Sequence, residues 1–359
     1  MNKRLIYFSV VGLTVASLMA GCSNTVAPPT EETTDTIQET PISNGDTVSK
    51  DVATLEEDSV EEIIKAVFLS GEDAARALSK EDAYIQVLSA YDYAAKFKSE
   101  RVLTEEERLA FFQDKTLEFT IDEQIRIATA IKIINNKISP LGLNVPAEIK
   151  FIKTDGTEEG GAAYTRDENI ILSEHMLMMS GRNFNALIAH EFFHVYTRYN
   201  SNYRADLYAL IGFGAAAGLD YPESIDELRI SNPDAPDIQY YVKDTYNDKE
   251  MLFIPIIFSS EPYDFERNNS FFETMEMKML AVTLDAGILV PEYDDGTPIL
   301  VDLYDLPTVY ENTGKNTDYV IHPEEILADN FALYVIGGKI NEQWIIDELI
   351  EKMQTIKAN

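Results

Sequence analysis

A pentapeptide with the sequence His-Glu-Phe-Phe-His, at positions 190–194, lies inside an otherwise apolar run from 186 to 196. On an α-helix, residues four apart share one face, about 40° apart around the axis. His190 and His194 can therefore direct a ring nitrogen toward the same metal ion. Glu191 follows the first histidine, where its carboxylate can reach a water molecule on that ion. Two imidazoles, a neighbouring general base and an open coordination position predict a hydrolytic zinc site with one ion per chain.

The alternative is a buried helix that carries two histidines by chance, with Phe192 and Phe193 as ordinary core residues. Two histidines and a glutamate are costly to bury without partners. A metal ion removes that cost because it satisfies both imidazoles. The chain has only 4 histidines in 359 residues, and two of them fall in this motif, so we favour the metal site.

A catalytic zinc ion usually takes three ligands from the protein, so a third must come from elsewhere in the chain. The only cysteine is Cys22, far from the motif, and the remaining histidines are His175 and His322. His175 lies outside any motif, and we interpret it as structural.

The segment 322–334 offers the most suggestive third ligand. It is predicted to form a helix with a proline in its first turn. Glu325 can ligate zinc, and Asp329, on the same face one turn later, can accept a hydrogen bond from a ligand histidine and fix its tautomer. His322 and Glu324 are alternative third ligands.

The pentapeptide at 190–194, taken with the Glu-Ile-Leu-Ala-Asp sequence at 325–329, resembles the HExxH…ExxxD pattern of the thermolysin-like zinc metallopeptidases, the gluzincins. The resemblance covers two short helices and the strand before them. It implies His190, His194 and Glu325 as zinc ligands, with Glu191 as the general base. It also implies Asp329 as the carboxylate that orients a ligand histidine.

The same resemblance implies an α+β fold with a zincin-like catalytic domain. In such a fold a small mixed sheet lies over the active-site helix, and the remainder is mainly helical. The long stretch between the two halves of the metal site departs from the shorter connection usual in gluzincins. We interpret it as an insertion.

The implied reaction is hydrolysis of a peptide bond, and the chain is predicted to be an endopeptidase. Glu191 would take the proton of the attacking water and pass it to the leaving amine. The oxyanion needs one donor besides the metal. His322 and then Tyr319 are the candidates, because both lie shortly before Glu325 in the sequence.

Strands are predicted before the motif at 147–153, 160–165 and 169–172, with turns at Gly156 and at Asp167. In zincins, strands in this position build the upper rim of the cleft. An exposed sheet edge can pair with an extended peptide, and residues 164–172 are the candidates for that role. An ordinary hairpin is the alternative.

Elsewhere, apolar spacing predicts helices at 60–68, 82–97, 104–112, 122–138 and 202–218. Thr104 and Glu107 form a capping box for the third of these. Strands are predicted at 251–258 and 278–283, and Pro255 places the first of them at an edge or a bulge.

The amino terminus carries the second informative pattern. Two basic residues precede an apolar stretch from Leu5 to Met19, which is shorter than a typical transmembrane helix. Small residues then lead into Cys22. This resembles the lipobox of bacterial lipoproteins, in which the cysteine is acylated and becomes the first residue of the mature protein. It implies a location outside the cytoplasmic membrane of a bacterium, with the lipid as anchor.

Composition supports the remaining organisation, since residues 23–50 are polar and have almost no large apolar side chains. The predicted divisions are a signal peptide at 1–21, a disordered tether at 22–50, an N-terminal helical region at 51–145, the sheet and motif helix at 146–219, an insertion of uncertain fold at 220–317, and a helical segment with the third ligand at 318–359.

The charge balance restricts the partners. The chain has 62 acidic and 29 basic residues, for a net charge of −33. This charge argues against binding nucleic acid and against electrostatic docking on an anionic membrane. The expected partner is a peptide or protein substrate, with membrane contact through the lipid only. The alternatives are a non-catalytic zinc- or peptide-binding lipoprotein, which would not need Glu191, and a structural envelope protein whose histidines are core residues.

Overall fold

The computed structural model describes residues 63–267 and 270–356. The predicted signal peptide, the tether and Cys22 lie outside these residues. Within the described ranges, every helix is too short or too polar to cross a membrane.

Helices occur on both sides of the motif. The α-helices are α1 (Gly71–Ser79), α2 (Ala83–Val87), α3 (Ala90–Phe97), α4 (Glu105–Lys115), α5 (Ile121–Ile138), α6 (Gly181–Tyr199), α7 (Arg204–Ala209), α8 (Glu223–Asp226), α9 (Pro307–Asn312), α10 (Pro323–Ile336) and α11 (Gln343–Thr355). Short 3₁₀ turns lie at Ser139–Leu141, Thr157–Glu159, Met176–Met178, Ser201–Tyr203, Phe271–Glu273 and Leu303–Asp305. The predicted capping box at Thr104 is confirmed at the start of α4.

Strands form two main sheets and one small hairpin. They are β1 (Lys65–Leu69), β2 (Thr116–Leu117), β3 (Glu148–Thr154), β4 (Tyr164–Arg166), β5 (Asn169–Ser173), β6 (Gly214–Ala215), β7 (Gly218–Leu219), β8 (Tyr240–Tyr246), β9 (Lys249–Ser259), β10 (Met275–Asp285), β11 (Ile288–Pro291), β12 (Tyr293–Asp294), β13 (Thr297–Pro298) and β14 (Leu300–Val301). This mixture of helix and sheet confirms the predicted α+β class.

The first sheet has the strand order β1–β3–β5–β4, and β2 also pairs with β3. The strands β1, β3 and β5 run parallel, whereas β2 and β4 are antiparallel to their partners. The strands predicted at 147–153 and 169–172 are confirmed as β3 and β5, whereas the one predicted at 160–165 begins only at Tyr164, because residues 160–163 form a turn. Strand β4 forms one edge of the sheet. Strand β5, which directly precedes the motif helix, lies between β3 and β4.

Side-chain alternation gives this sheet two buried faces. Phe151 and Ile170 belong to the main core, together with α5, α6 and α10. Ile152 and Ile171 point the other way and pack against α1 to α4. The sheet is thus enclosed between the N-terminal helices and the helix that carries the motif, which fixes the position of that helix.

The predicted insertion, 220–317, consists mainly of the second sheet, in which β8, β9, β10 and β11 form an antiparallel meander. Ile254 and Ile256 contribute to a separate apolar cluster on one face. Phe253 and Met279, on the other face, join the main core. Strand β9 lies between β8 and β10, not at the sheet edge that Pro255 predicted. The pairing of β9 with β8 ends at Phe253, so the N–H that Pro255 lacks is not needed for it.

The predicted helix over 60–68 is wrong in its described part. Lys65–Leu69 forms β1, which pairs residue by residue with β3. Phe68 packs against Phe119 and Phe151, with ring centroids 5.2 and 5.9 Å apart. The gain from the strand ladder and these aromatic contacts outweighs the weak preference of a short amphipathic segment for helix.

Two other predicted helices are shorter than the sequence pattern indicates. The segment 82–97 divides into α2 and α3, because Ser89 starts a new helix with its own capping box to Asp92. The segment 202–218 forms only α7. The chain then turns at Gly212, whose φ of 84° favours glycine, and continues into β6 and β7.

A buried glutamate next to the first sheet gives a pH-dependent stability. Glu158 is 2% exposed, and one of its oxygens accepts hydrogen bonds from Thr154 and Tyr164. Burial raises its pKa from 4.5 to about 7, against the opposing effect of these hydrogen bonds. Because the folded-state pKa lies above the unfolded value, the stability that the protonated Glu158 contributes is fully present below pH 4.5 and is lost as the pH rises through about 7.

We expect Glu158→Gln to raise the free energy of unfolding by up to about 3 kcal/mol at pH 8, from about 1.4 kcal/mol for each unit of pKa. At pH 4 the change should be small, because the carboxyl group is then protonated in both states. Urea unfolding at the two pH values measures this difference. The exposed Glu168→Gln is the control, and an equal effect of Glu158→Gln at pH 4 and pH 8 would contradict the prediction.

Candidate metal centre

The motif helix, α6, is buried almost all round. Residues 186–197 are all buried because the first sheet covers one side of the helix and α10 packs against another. A helix that is apolar on every side belongs in a core, and its apolar residues join the main core. The polar residues His190, Glu191 and His194 are 2%, 1% and 0% exposed, so their partners must come from neighbouring elements.

Those partners come first from α10. The helix begins at Pro323 after His322, its N-cap. The Oε2 atom of Glu325 lies 3.1 Å from Nε2 of His190 and 3.5 Å from Nε2 of His194. The structure therefore brings together the three residues that the sequence pairs as ligands, and all three can offer an atom to one metal ion.

A carboxylate behind each imidazole fixes the orientation of both rings. Nδ1 of His190 lies 2.8 Å from Asp329, and Nδ1 of His194 lies 2.9 Å from Glu324. An ionised carboxylate only accepts hydrogen bonds, so Nδ1 donates in both cases. Since Nδ1 is the donor in each pair, Nε2 is the nitrogen of each ring that faces the cluster, where it can ligate a metal ion once it has lost its proton.

Glu324 was an alternative ligand in the sequence analysis, and the structure places its carboxylate behind His194 instead. The same carboxylate accepts hydrogen bonds from Thr197, at 2.5 Å, and from the Tyr208 hydroxyl. Glu325 is the next residue along α10, about 100° further around the helix. Adjacent glutamates thus reach different atoms of His194.

The distances in the cluster fit a bound ion. For a tetrahedral site with bonds of about 2.0–2.1 Å, neighbouring ligand atoms lie about 3.3–3.4 Å apart. The two Nε2–Oε2 distances, 3.1 and 3.5 Å, fall on either side of that value. Within the described ranges, Nε2 of His194 is buried and makes no hydrogen bond, which is expected of an atom that serves as a metal ligand.

The electrostatics of the cluster also favour a cation. The histidines are surrounded by the carboxylates of Glu191, Asp234, Glu324, Glu325 and Asp329. Burial lowers the pKa of His194, but the charges of nearby acids outweigh burial and raise it to about 10. The surroundings therefore stabilise positive charge between the rings.

Glu191 is held on the first sheet. Its Oε2 accepts a hydrogen bond of 2.8 Å from the Thr165 hydroxyl on the edge strand β4. Burial raises the pKa of Glu191, and the neighbouring histidines oppose that shift. Sequence reasoning missed Thr165, since nothing in its own strand indicates that β4 will lie over the motif.

Two further site residues come from the segment between α8 and β8. Asn232 donates a hydrogen bond of 2.7 Å to Oε1 of Glu325. Asp234 forms a second possible ligand group with Glu191 and His194, and its Oδ1 lies 4.0 Å from Nε2 of His194. The sequence around both residues has no metal-binding pattern. Only the folding of the insertion brings them to the cluster.

His322 lies beside the cluster but is otherwise engaged. Its Nδ1 accepts a hydrogen bond from the Glu324 backbone N–H, and Nε2 donates to the Asp237 carbonyl at 3.3 Å. Burial lowers its pKa to about 4, so the ring is neutral at pH 7. Its predicted role as an oxyanion donor stays a prediction, and both ring nitrogens have partners in the structure.

Tyr319 is half-buried, and burial together with the charges of Glu325 and Asp234 raises its pKa well above the ordinary value. Its hydroxyl is therefore protonated and able to donate at neutral pH. His175, by contrast, is exposed just before the 3₁₀ turn at Met176–Met178, and it belongs to neither of the possible ligand groups.

Comparison with models of known protein families, with curated proteins and with solved structures found no match for this chain. The geometry of the site therefore gives the direct evidence for its chemistry. That geometry is a buried cluster in which two imidazoles and a carboxylate can hold a metal ion next to a second carboxylate.

Proposed function

We propose that the protein is a zinc-dependent hydrolase of peptide bonds with a gluzincin-type site. The observation that carries the proposal is the convergence of Nε2 of both histidines on Glu325. Two nitrogen ligands and one carboxylate match the ligand set of known catalytic zinc sites. The sheet over α6 and the helical surroundings agree with a zincin-like domain.

The residues of the chain supply the proton transfers. Bound zinc would act as a Lewis acid and lower the pKa of a water molecule toward 7. Glu191, oriented by Thr165, accepts the proton of the attacking water and returns it to the leaving amine. Tyr319 donates a hydrogen bond to the developing oxyanion. His322 is the less suitable donor because both of its nitrogens are engaged.

The alternative function is a non-catalytic zinc- or peptide-binding protein. One observation favours it: Asp234 lies beside the ligand set, with its Oδ1 4.0 Å from Nε2 of His194, so a shift of this side chain toward the ion would close the site with four protein ligands. Closed sites are typical of structural zinc, whereas catalytic sites keep one position open. Glu191 favours catalysis, because a binding site has no need of a base beside the metal.

Cleavage of a peptide library by the zinc-loaded protein tests the proposal. Glu191→Gln should keep its zinc and lose about 10²–10⁴-fold in kcat, the usual contribution of a general base. The exposed Glu168→Gln should cleave like the wild type. An unchanged cleavage rate in Glu191→Gln, or no cleavage by any zinc-loaded form of the protein, would contradict the hydrolytic function.

The cellular location forms part of the same proposal. Cys22, after its small and apolar neighbours, would carry the lipid that anchors the protein outside a bacterial cytoplasmic membrane. We expect Cys22→Ser to release the protein from the membrane fraction or to block removal of the leader. Fractionation and metabolic labelling with a radioactive fatty acid measure both effects. Unchanged retention together with normal processing would count against the anchor.

A further inference from the structure

The segment 231–237, which we call the strap, is fixed at both ends. At its start, the Ser231 backbone N–H donates to Asp92 on α3, at 3.1 Å, and the Ser231 carbonyl accepts from the buried Lys96, at 2.9 Å. At its end, Asp237 forms an ion pair of 3.0 Å with Arg204 on α7. The strap therefore has a defined path between two helices.

The middle of the strap covers the free edge of the first sheet. The Thr165 backbone N–H, on the edge strand β4, donates to Oδ1 of Asp234 at 2.6 Å. One nitrogen of Arg198 donates to the carbonyls of Thr165, Pro233 and Asp234, at 3.0, 2.8 and 2.9 Å. Both outward backbone groups of Thr165 are thus occupied, and an extended peptide cannot pair with this residue while the strap is in place.

The strap also reaches the metal cluster. Asn232 donates to the Glu325 oxygen that does not face the histidines. The Asp234 carboxylate lies beside Glu191, the proposed base, and His194. One short segment therefore occupies both the peptide-pairing edge and the neighbourhood of the base.

A small cavity lies behind the strap. A cavity of about 30 Å³ separates it from the second sheet and is lined by Ala235 and Pro236 on one side and by Ile254 and Ile256 on the other. That volume holds about two water molecules. The strap is therefore not tightly packed on this side, whereas the side chains of Asn232 and Asp234 make their polar contacts with the metal cluster and β4.

We propose that the strap is a built-in occupant of the substrate cleft, with Asp234 as a fourth metal ligand in the resting state. The inference rests on the proposed hydrolytic function. Substrate must displace the strap from β4 and Asp234 from the metal, so the protein rests in a latent form. The apparent affinity of the protein for a ligand that binds the metal is then its intrinsic affinity multiplied by the fraction of molecules in which the site is open.

The test uses cobalt in place of zinc, because its visible absorption reports the number of ligands without any need for turnover. Acetohydroxamate, a chelating metal ligand, is titrated into the cobalt-loaded protein. We expect Asp234→Ala to bind it at least about tenfold more tightly than the wild type, and to show a cobalt spectrum that differs before the ligand is added. The exposed Asp220→Ala is the matched control and should resemble the wild type.

Asp234→Asn separates the two contacts of this side chain. Its amide oxygen still accepts from the Thr165 N–H, but it lacks the charge of a good metal ligand. We expect it to share the altered cobalt spectrum of Asp234→Ala. It also keeps the test decisive if the alanine variant does not fold. Spectra and acetohydroxamate affinities equal to those of the wild type in the folded variants would overturn the inference.

Cleavage assays distinguish this inference from the proposed function. The strap predicts faster cleavage by Asp234→Ala than by the wild type, and Glu191→Gln in the same background should remove that activity. Altered cobalt spectra without cleavage by any variant would support the strap and contradict the hydrolase. Cleavage that depends on Glu191, together with cobalt spectra that do not change when Asp234 is replaced, would support the hydrolase and contradict the strap.

Discussion

Alanine at position 190 or 194 should reduce bound zinc from about one ion per chain to a level below detection. Each substitution removes one of the two nitrogen ligands. It also leaves the carboxylate behind that ring, Asp329 or Glu324, buried without its partner. Elemental analysis after dialysis, followed by competition with a chromogenic chelator, measures the loss.

The histidine outside the cluster provides the matched control for this experiment. His175 is exposed and belongs to neither of the possible ligand groups, so His175→Ala should bind zinc like the wild type. Stoichiometric zinc in the double variant of His190 and His194 would show that the metal binds elsewhere, and the assignment of the site would be wrong.

Glu325→Ala should weaken zinc binding by more than about 100-fold, because its Oε2 is the atom that both Nε2 nitrogens face. Glu324→Ala and Asp329→Ala should each cost about 10–100-fold, which is usual for a residue that orients a ligand histidine. The difference follows from the atoms contacted. Glu325 faces the metal side of the rings, and the other two acids bind Nδ1 behind them.

The order of these three affinities can be measured by chelator competition at one pH. Because Glu324 and Asp329 stand in equivalent positions behind the two rings, their alanine variants should behave alike. Loss of the metal in Glu324→Ala with retention in Glu325→Ala would contradict both the third ligand and the gluzincin assignment. The role of Glu191 as a base would still stand.

The parts of the site that depend on one helix could be predicted from the sequence. A spacing of four residues places His190 and His194 on one face, and the same spacing relates Glu325 to Asp329. Local alternation likewise identifies β3. These patterns depend only on the geometry of one helix or strand, so they can be recognised without knowing the tertiary contacts.

The remaining site residues depend on contacts between distant segments. Thr165 reaches Glu191 only because β4 closes the sheet edge above α6, and Asp234 reaches the cluster only because the insertion folds back over that edge. Neither position carries a local sequence pattern. The sequence favours Glu325 over Glu324 only through its spacing from Asp329, because the roles of the two glutamates depend on how α10 is rotated against α6.

Tertiary contacts also explain the errors in secondary structure. Lys65–Leu69 has the spacing of a short helix, but parallel pairing with β3 determines its conformation. The helix predicted over 82–97 is interrupted because Ser89 donates to the Arg229 carbonyl, just before the strap, and Asp92 accepts from the Ser231 N–H at its start. In both cases a long-range partner outweighs local preference.

Anomalous diffraction at the zinc absorption edge, from crystals of the zinc-loaded protein, tests the central claim most directly. We predict a single strong peak per chain, about 2.0–2.1 Å from Nε2 of His190, Nε2 of His194 and one oxygen of Glu325. A peak at another place in the chain, or one bound through the Nδ1 atoms with Glu325 turned away, would contradict the proposed metal centre.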